Sequence, residues 1–277
     1  MSLASLTTRD RSTALERALE DVRASRPAAT RVLQLTDDPE TDARRVAEAI
    51  DADPMLTAQV LRLANSAAFG MSFRVASTQL AVSVLGFSAV RSVAVLLASG
   101  LRNHKVPTPT GFWQHSAATA AACSALASRF GVSKGEAFSL GLLHDMGWPI
   151  LYGVDRAAYD GFASGQSDTG AVCAEEIAAF GMSHAEVASM VLASWRFPEP
   201  FVGAIAVHHE MSIGTTSHER LLIAGDALAH LVLEPSGLVD VSPLELESLG
   251  IPPQKLQELS ALTLDYANEV LATFPMA

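Results

Sequence analysis

Helix starts and stops are written into this chain at short intervals, and the period-two alternation that builds strands is almost missing. Asp53-Pro54 places an N-capping carboxylate before a proline at the first helical position, where its missing N–H is not needed. Leu56, Val60, Leu63 and Ala64 follow at helical spacing up to Asn65-Ser66, and Gly70 supplies a backbone geometry that other residues resist. A second helix is predicted from about Ser77 to Leu85, ending at Gly86. A third, capped by Ser88, covers Ala89 to Ser99 and ends at Gly100. The two prolines between His104 and Gly111 mark a connection and the main boundary. Beyond it, Phe112–Phe130 reads as one alanine-rich helix closed by Gly131. Ser-x-x-Glu capping boxes at Ser133/Glu136 and Ser183/Glu186 start two more helices. The first runs from Lys134 towards Asp145, where Gly147 and Pro149 end it; the second opens at His184 and ends before Pro198. Gly153–Thr169 reads as a loop or short irregular helices, and helices are predicted at Thr169–Gly181, Pro200–His209, Ser217–Leu233 and Pro253–Thr273. The prediction is all-α: an N-terminal helical bundle over about 1–104, a helical core over about 111–232, and a C-terminal helical extension over 243–277 that packs on one of them.

Composition supports this and narrows the function classes. Hydrophobic residues make up 49 % of the chain but aromatics only 6 %, so the core is expected to consist of closely spaced helices with small contact residues. A net charge of −11 excludes a broad basic face, and with it a general nucleic-acid or anionic-membrane binder. No apolar run reaches the roughly 18–20 residues that span a bilayer, and the N-terminus lacks the basic-then-apolar order of a signal peptide. Cys123 and Cys173 are too few for a disulfide framework and wrongly spaced for a metal motif, so they read as buried free thiols. The expectation is a soluble, cytoplasmic protein with no nucleic-acid or membrane partner.

Chemistry concentrates in seven residues: His115, His144, Asp145, His184, His208, His209 and Asp226. Neutral imidazole and ionised carboxylate are ligands for Zn, Fe or Mn. At a helix C-terminus the His144-Asp145 pair can aim both side chains at one point, whereas mid-helix neighbours diverge by about 100°. Each residue also has a plainer explanation. His115 lies among Trp113, Ala117 and Ala118 and fits a satisfied core histidine. His208 and His209 can interact with the end of their own helix, and His184 can be a first-turn surface residue. Asp226 sits in Leu-Leu-Ile-Ala-Gly-Asp-Ala-Leu-Ala, where a carboxylate is costly unless paired, hydrogen-bonded or metal-bound. Composition does not choose between these readings.

The order and context of the set resemble the HD superfamily of metal-dependent phosphohydrolases, in which a His, a His-Asp pair and a distant Asp each lie on a helix. The matches are His115 in Trp-Gln-His-Ser-Ala-Ala-Thr-Ala, His144-Asp145 in Gly-Leu-Leu-His-Asp-Met-Gly, and Asp226. Within that superfamily the chain resembles the HDOD, or HD-related output domain, proteins of bacterial signalling. The stretch Asp53-Pro-Met-Leu-Thr-Ala-Gln-Val-Leu-Arg-Leu-Ala-Asn-Ser-Ala-Ala-Phe-Gly70 carries most of this likeness. Leu80-Ala-Val-Ser-Val-Leu-Gly86, His184-Ala-Glu-Val-Ala, Trp195-Arg-Phe-Pro198 and Ala206-Val-His-His209 follow in the same order. The resemblance covers roughly residues 25–235 and implies an HD-like fold for the helical core. No receiver, GGDEF or EAL segment accompanies it, so this region is expected to be essentially the whole protein, with input from separate proteins or a small molecule.

A second resemblance, to the HD-GYP hydrolases of cyclic di-GMP, implies that all seven residues are metal ligands. His115, His144, Asp145 and Asp226 would share one ion at about 2.0–2.2 Å, and His184, His208 and His209 would line the adjoining half of the pocket. Three departures bear on turnover. The lysine of those enzymes is Trp148 here, which would line and narrow the ligand pocket; an extra acidic ligand would fall at Gly111; and Gly-Tyr-Pro is replaced by Met211-Ser-Ile-Gly-Thr-Thr. The resemblance therefore implies a regulatory module that binds a small-molecule ligand or a partner signalling protein, with weak or no hydrolysis and a divalent metal (Fe, Mn or Zn) as its only candidate cofactor. The alternative is a metal-dependent phosphohydrolase acting on a nucleotide or cyclic dinucleotide.

Overall fold

The computed structural model describes residues 7–23, 27–70, 75–101, 107–163, 169–210, 215–233 and 247–273, and among these there are helices, turns and no strand. The chain is all-α. His104 with most of the connection to Gly111, the segment Met211–Gly214 and the start of the extension at 243 lie outside the described residues.

Helices α1 (Thr8–Arg23), α2 (Pro27–Thr36) and α3 (Ala43–Asp51) precede the first helix read from sequence. Helix α4 (Pro54–Ala64) starts as expected: the Asp53 carboxylate accepts from the N–H groups of Met55 and Leu56, with Pro54 at the first helical position. Asn65 ends it with a side-chain amide that donates to Leu61 O and Val75 O and accepts from Val75 N, clasping the chain on both sides of a turn. Gly70, at φ 72, closes the short 3-10 turn Ala67–Phe69. Helix α5 (Thr78–Ala98) is two helical pieces joined at Gly86, whose φ 75 and ψ 164 break the ladder where the sequence placed a stop. By length and composition α5 could cross a membrane, yet 67 % of its most apolar window is buried inside the protein.

The second half is built round α6 (Phe112–Phe130), against which α7 (Lys134–Leu143), α13 (Ser217–Leu233) and α14 (Pro253–Thr273) all pack. Its buried residues include Ala117, Ala118, Ala120, Ala121, Ala122 and Ala127, and side chains that end at Cβ let three helices approach one axis. Leu259 and Val270 carry the buried side of α14. Helices α8 (Gly147–Val154), α9 (Arg156–Ala163), α10 (Thr169–Phe180), α11 (His184–Ser194) and α12 (Glu199–Ala206) complete the chain order. Helix α5 packs on α2, α3, α4 and α7, and so joins the first helices to the core. Helix α1 crosses to the other side of the molecule, onto α8, α10 and α11, held there by the Arg11–Asp155 ion pair at 2.8 Å.

Local details correct the sequence reading at several points. Helix α7 ends at Leu143, and His144–Met146 form a turn from which Gly147 and Pro149 open α8 rather than ending a helix. Only half of the first capping box forms. Ser133 accepts from Glu136 N, but the Glu136 carboxylate turns to His218 Nε2 at 3.0 Å. The second box is complete. Helix α12 stops at Ala206, which leaves His208 and His209 in the following turn. Cys123 is buried as expected, whereas Cys173 is only half-buried.

Candidate metal centre

Each histidine of the set is aimed by its own element. His115 occupies the first turn of α6, its N–H bonded to Gly111 O. His144 and Asp145 sit where α7 gives way to α8. His184 is the first residue of α11, fixed by the Ser183–Glu186 capping box. His208 and His209 follow α12, and Asp226 lies in α13. The fold brings all seven together.

Asp145 is the hinge of the arrangement. Its Oδ2 lies 3.4 Å from His115 Nε2 and 3.3 Å from His144 Nε2. Its Oδ1 lies 3.4 Å from His184 Nε2 and 3.3 Å from His208 Nε2. Asp226 Oδ1 adds contacts of 3.0 Å to His115 Nε2 and 3.6 Å to His144 Nε2. Ligand bonds of about 2.0–2.2 Å put neighbouring donors of an octahedral or tetrahedral ion about 3.0–3.5 Å apart, which is the spacing found here. Donor atoms close enough to share one ion fall into overlapping sets: His115, His144 and Asp145; Asp145, His184, His208 and His209; and His115, Asp226 and His230.

The protons support the same reading. His144 Nδ1 faces Gly141 O at 2.8 Å and His208 Nδ1 faces Ile205 O at 2.7 Å. A carbonyl only accepts, so Nδ1 of each ring carries a proton and each Nε2 is turned into the pocket, where it can serve as a ligand once deprotonated. His184 is oriented by Glu176, whose Oε2 accepts from His184 Nδ1 at 2.7 Å and from its backbone N–H at 2.8 Å. Glu176 is itself held by the Tyr159 hydroxyl. A histidine backed by a carboxylate is a common way to fix a metal ligand. The facing pairs His115 Nε2–His144 Nε2, at 3.1 Å, and His184 Nε2–His209 Nε2, at 2.8 Å, need a proton or a cation between them.

Three buried polar atoms in the pocket have no hydrogen-bond partner: Asp145 Oδ1, Asp226 Oδ1 and His208 Nε2. Stranding two carboxylate oxygens and an imidazole nitrogen costs on the order of 1–3 kcal/mol each, and divalent cations at the two donor sets would satisfy them. The residues therefore fit a metal. Without one, charge is balanced by protons. Burial would raise both carboxyls, but His144, with the nearby imidazoles of His184 and His208, holds Asp145 well below the ordinary range, and His230 and His115 do the same for Asp226. Burial would depress the His184 imidazolium, yet Glu176 and Asp145 hold it well above its usual value. For His209 burial wins, reinforced by His208 and His184, and the ring stays neutral.

Trp148 lies half-buried in α8, edge-on to Phe112 and beside Tyr159, with its indole N–H unpartnered. Among the described residues, every ion-pair partner of Asp145 and Asp226 is a histidine. Two residues that sequence reasoning missed also belong to the site. Glu176 left no motif, being one acid of a pair in an alanine-rich helix. His230 follows Asp226 by four residues, one turn along the same helix face, and that spacing was legible.

Comparison with known proteins agrees with the fold. The chain superposes on a candidate phosphohydrolase from Shewanella amazonensis, with 23 % identity, 96 % of this chain and 99 % of that one covered, and a TM-score of 0.70. A candidate signal transduction protein from Marinobacter aquaeolei follows at 23 % identity, 99 % and 67 % coverage and a TM-score of 0.66. A candidate metal-dependent phosphohydrolase from Shewanella amazonensis gives 16 %, 96 % and 99 %, and 0.62. At these identities the likeness establishes the fold alone. No curated protein matches the chain. Residues 25–211, most of the chain and all of the site except Asp226 and His230, match the HDOD domain model; the chain belongs to the HDOD family.

Proposed function

We propose that this HDOD protein is a signalling module that holds divalent metal in its His/Asp pocket and binds a small-molecule ligand or a partner protein there, with weak or no hydrolysis. Fe, Mn and Zn suit the mixed imidazole and carboxylate donors. A cytoplasmic place, without nucleic-acid or membrane partners, belongs to the same reading. The observation that carries metal binding is the stranding of Asp145 Oδ1, Asp226 Oδ1 and His208 Nε2, with Asp145 Oδ1 3.3 Å from His208 Nε2 and Asp226 Oδ1 3.0 Å from His115 Nε2, spacings that match the edges of a coordination polyhedron.

Weak turnover follows from charge. Phosphoryl transfer develops negative charge on the transferring oxygens, and one well-placed donor or cation there is worth about 3–4 kcal/mol. Trp148 stands where the HD-GYP pattern has a lysine, and an indole supplies no positive charge. The phosphohydrolase reading keeps one observation in its favour. Asp145 offers its two oxygens to two separate donor sets, the arrangement by which a carboxylate bridges a pair of catalytic ions.

Metal analysis of the purified protein, followed by phosphodiester hydrolysis assays with cyclic di-GMP and added Mn or Fe, separates the two. Bound metal with negligible turnover is expected. Robust metal-dependent turnover that disappears in Asp145→Ala would establish the hydrolase instead.

A further inference from the structure

The pairing of α6 with α13 places one more donor at the first metal position than the sequence motif supplies. The two helices run antiparallel. Cys123 lies against Leu221 O at 3.8 Å, and a Cβ on Gly225 would meet its sulfur at 2.3 Å. Eight residues earlier on α6, His115 meets Asp226 at 3.0 Å. Each turn forward along α13 is thus a turn back along α6, which brings His230 level with the beginning of α6. There its ring lies over that of His115 with centroids 4.6 Å apart, and its Nε2 is 3.7 Å from Asp226 Oδ1. Gly111, one turn before His115, contributes no side chain on this level, and among the described residues, its chain neighbours aside, no atom lies within 4 Å of where its Cβ would be.

We propose that His230 is a direct ligand of the ion held by His115 and Asp226, completing its coordination from α13 where α6 offers only Gly111. The donors of His115, Asp226 and His230 all lie within 4.8 Å of one another, close enough for one ion. The Asp226–His230 spacing needs to shorten by only a few tenths of an ångström to match a polyhedron edge of about 3.0–3.5 Å. The His230 side chain is 27 % exposed, so it has room to make that adjustment. An Asp and a His at i and i+4 present two ligands on one helix face.

The inference rests on the metal-binding reading, and the test distinguishes the two. Calorimetric titration with Mn(II) and the visible spectrum after loading with Co(II) are compared for wild type, His230→Ala, His230→Gln and Asp145→Ala. His218→Ala is the control histidine of the same helix. Circular dichroism of each metal-free variant establishes that it is folded, and His230→Gln preserves helix propensity if the alanine does not. The expected result is a loss of at least about tenfold in affinity at one class of site, with an altered Co(II) spectrum, in both His230 variants and not in His218→Ala. Wild-type affinity and spectrum in the His230 variants, with metal lost in Asp145→Ala, overturn the role of His230 alone. Absence of metal uptake by wild type overturns both.

Discussion

At the scale of single residues, the pocket depends on which imidazole nitrogen carries a proton. Gly141 O and Ile205 O hold the Nδ1 protons of His144 and His208 and turn Nε2 into the pocket, and Glu176 does so for His184 through a charged acceptor. Glu176→Gln keeps the shape of that acceptor and removes its charge. Affinity at the His184 set is expected to fall about 10- to 100-fold, with the His115 set unchanged, measured by calorimetric titration. The same contact makes metal uptake pH-dependent. With its value raised by Glu176 and Asp145 against the effect of burial, His184 stabilises the metal-free protein as an imidazolium. That contribution is complete below the ordinary histidine value of about 6.5 and is lost as pH rises through the raised one. An ion must displace this proton, so the melting-temperature gain on adding Mn is expected to grow as pH rises above about 6.5. A gain that is flat or shrinks over this rise would count against His184 as a ligand. The seven residues were legible because each sits at a helix end or as a charge in an apolar run. Glu176 was not, since an acid beside Glu175 reads as a solvated face until Tyr159 of α9 and His184 of α11 cover it.

At the scale of elements, capping residues told the truth, as did the breakers Gly86 and Gly131, whereas Gly147 and Pro149 misled. Asp53 and Ser183 cap as their spacing implies, and the end of α6 at Gly131 was legible for the same local reason. Gly147 and Pro149 looked like a stop but open a helix, because proline is tolerated in a first turn whose N–H groups need no partner. The role of Gly147 is tertiary: a Cβ there would lie 2.0 Å from His184 O, so glycine lets α8 and α11 close on each other and brings Asp145 to His184. Nothing local in the sequence carries that information. Gly225 does the same for α13 and α6, one residue before Asp226. Gly225→Ala is expected to cost about 1–3 kcal/mol through overpacking against Cys123, read as a shift in the denaturant midpoint. Metal affinity should fall with it, since the added methyl pushes Asp226 away from His115. A variant of unchanged stability that binds metal normally would show that the contact relaxes without moving the helix.

At the scale of the whole molecule, one buried cation ties the early helices to the core. Arg91 on α5 is 6 % exposed. Its Nη1 donates to Leu33 O, Thr36 Oγ1 and the Asp37 carboxylate, and its Nη2 donates to Trp195 O at the end of α11. The guanidinium also lies 4.7 Å from the centroid of Phe197. The sequence displays Arg91 only as a lone charge in an apolar helix, and its partners come from two distant segments, 33–37 and 195–197, so no local pattern could have identified them. Two residues beyond the Trp195 carbonyl is Phe197, which stacks on Phe201 of α12, the helix that delivers His208 and His209. The clasp thus connects α2 and α5 with the segment that leads into the second ligand set. Arg91→Met retains much of the apolar stem but strands Asp37 and the Trp195 carbonyl. Removing one partner of a buried ion pair costs about 3–5 kcal/mol, and that loss is expected in chemical denaturation. Arg91→Lys should recover only part of it, because an ammonium lacks the planar fork that reaches both sides at once. If lysine restores full stability, the clasp acts as a point charge and the two-sided geometry is irrelevant.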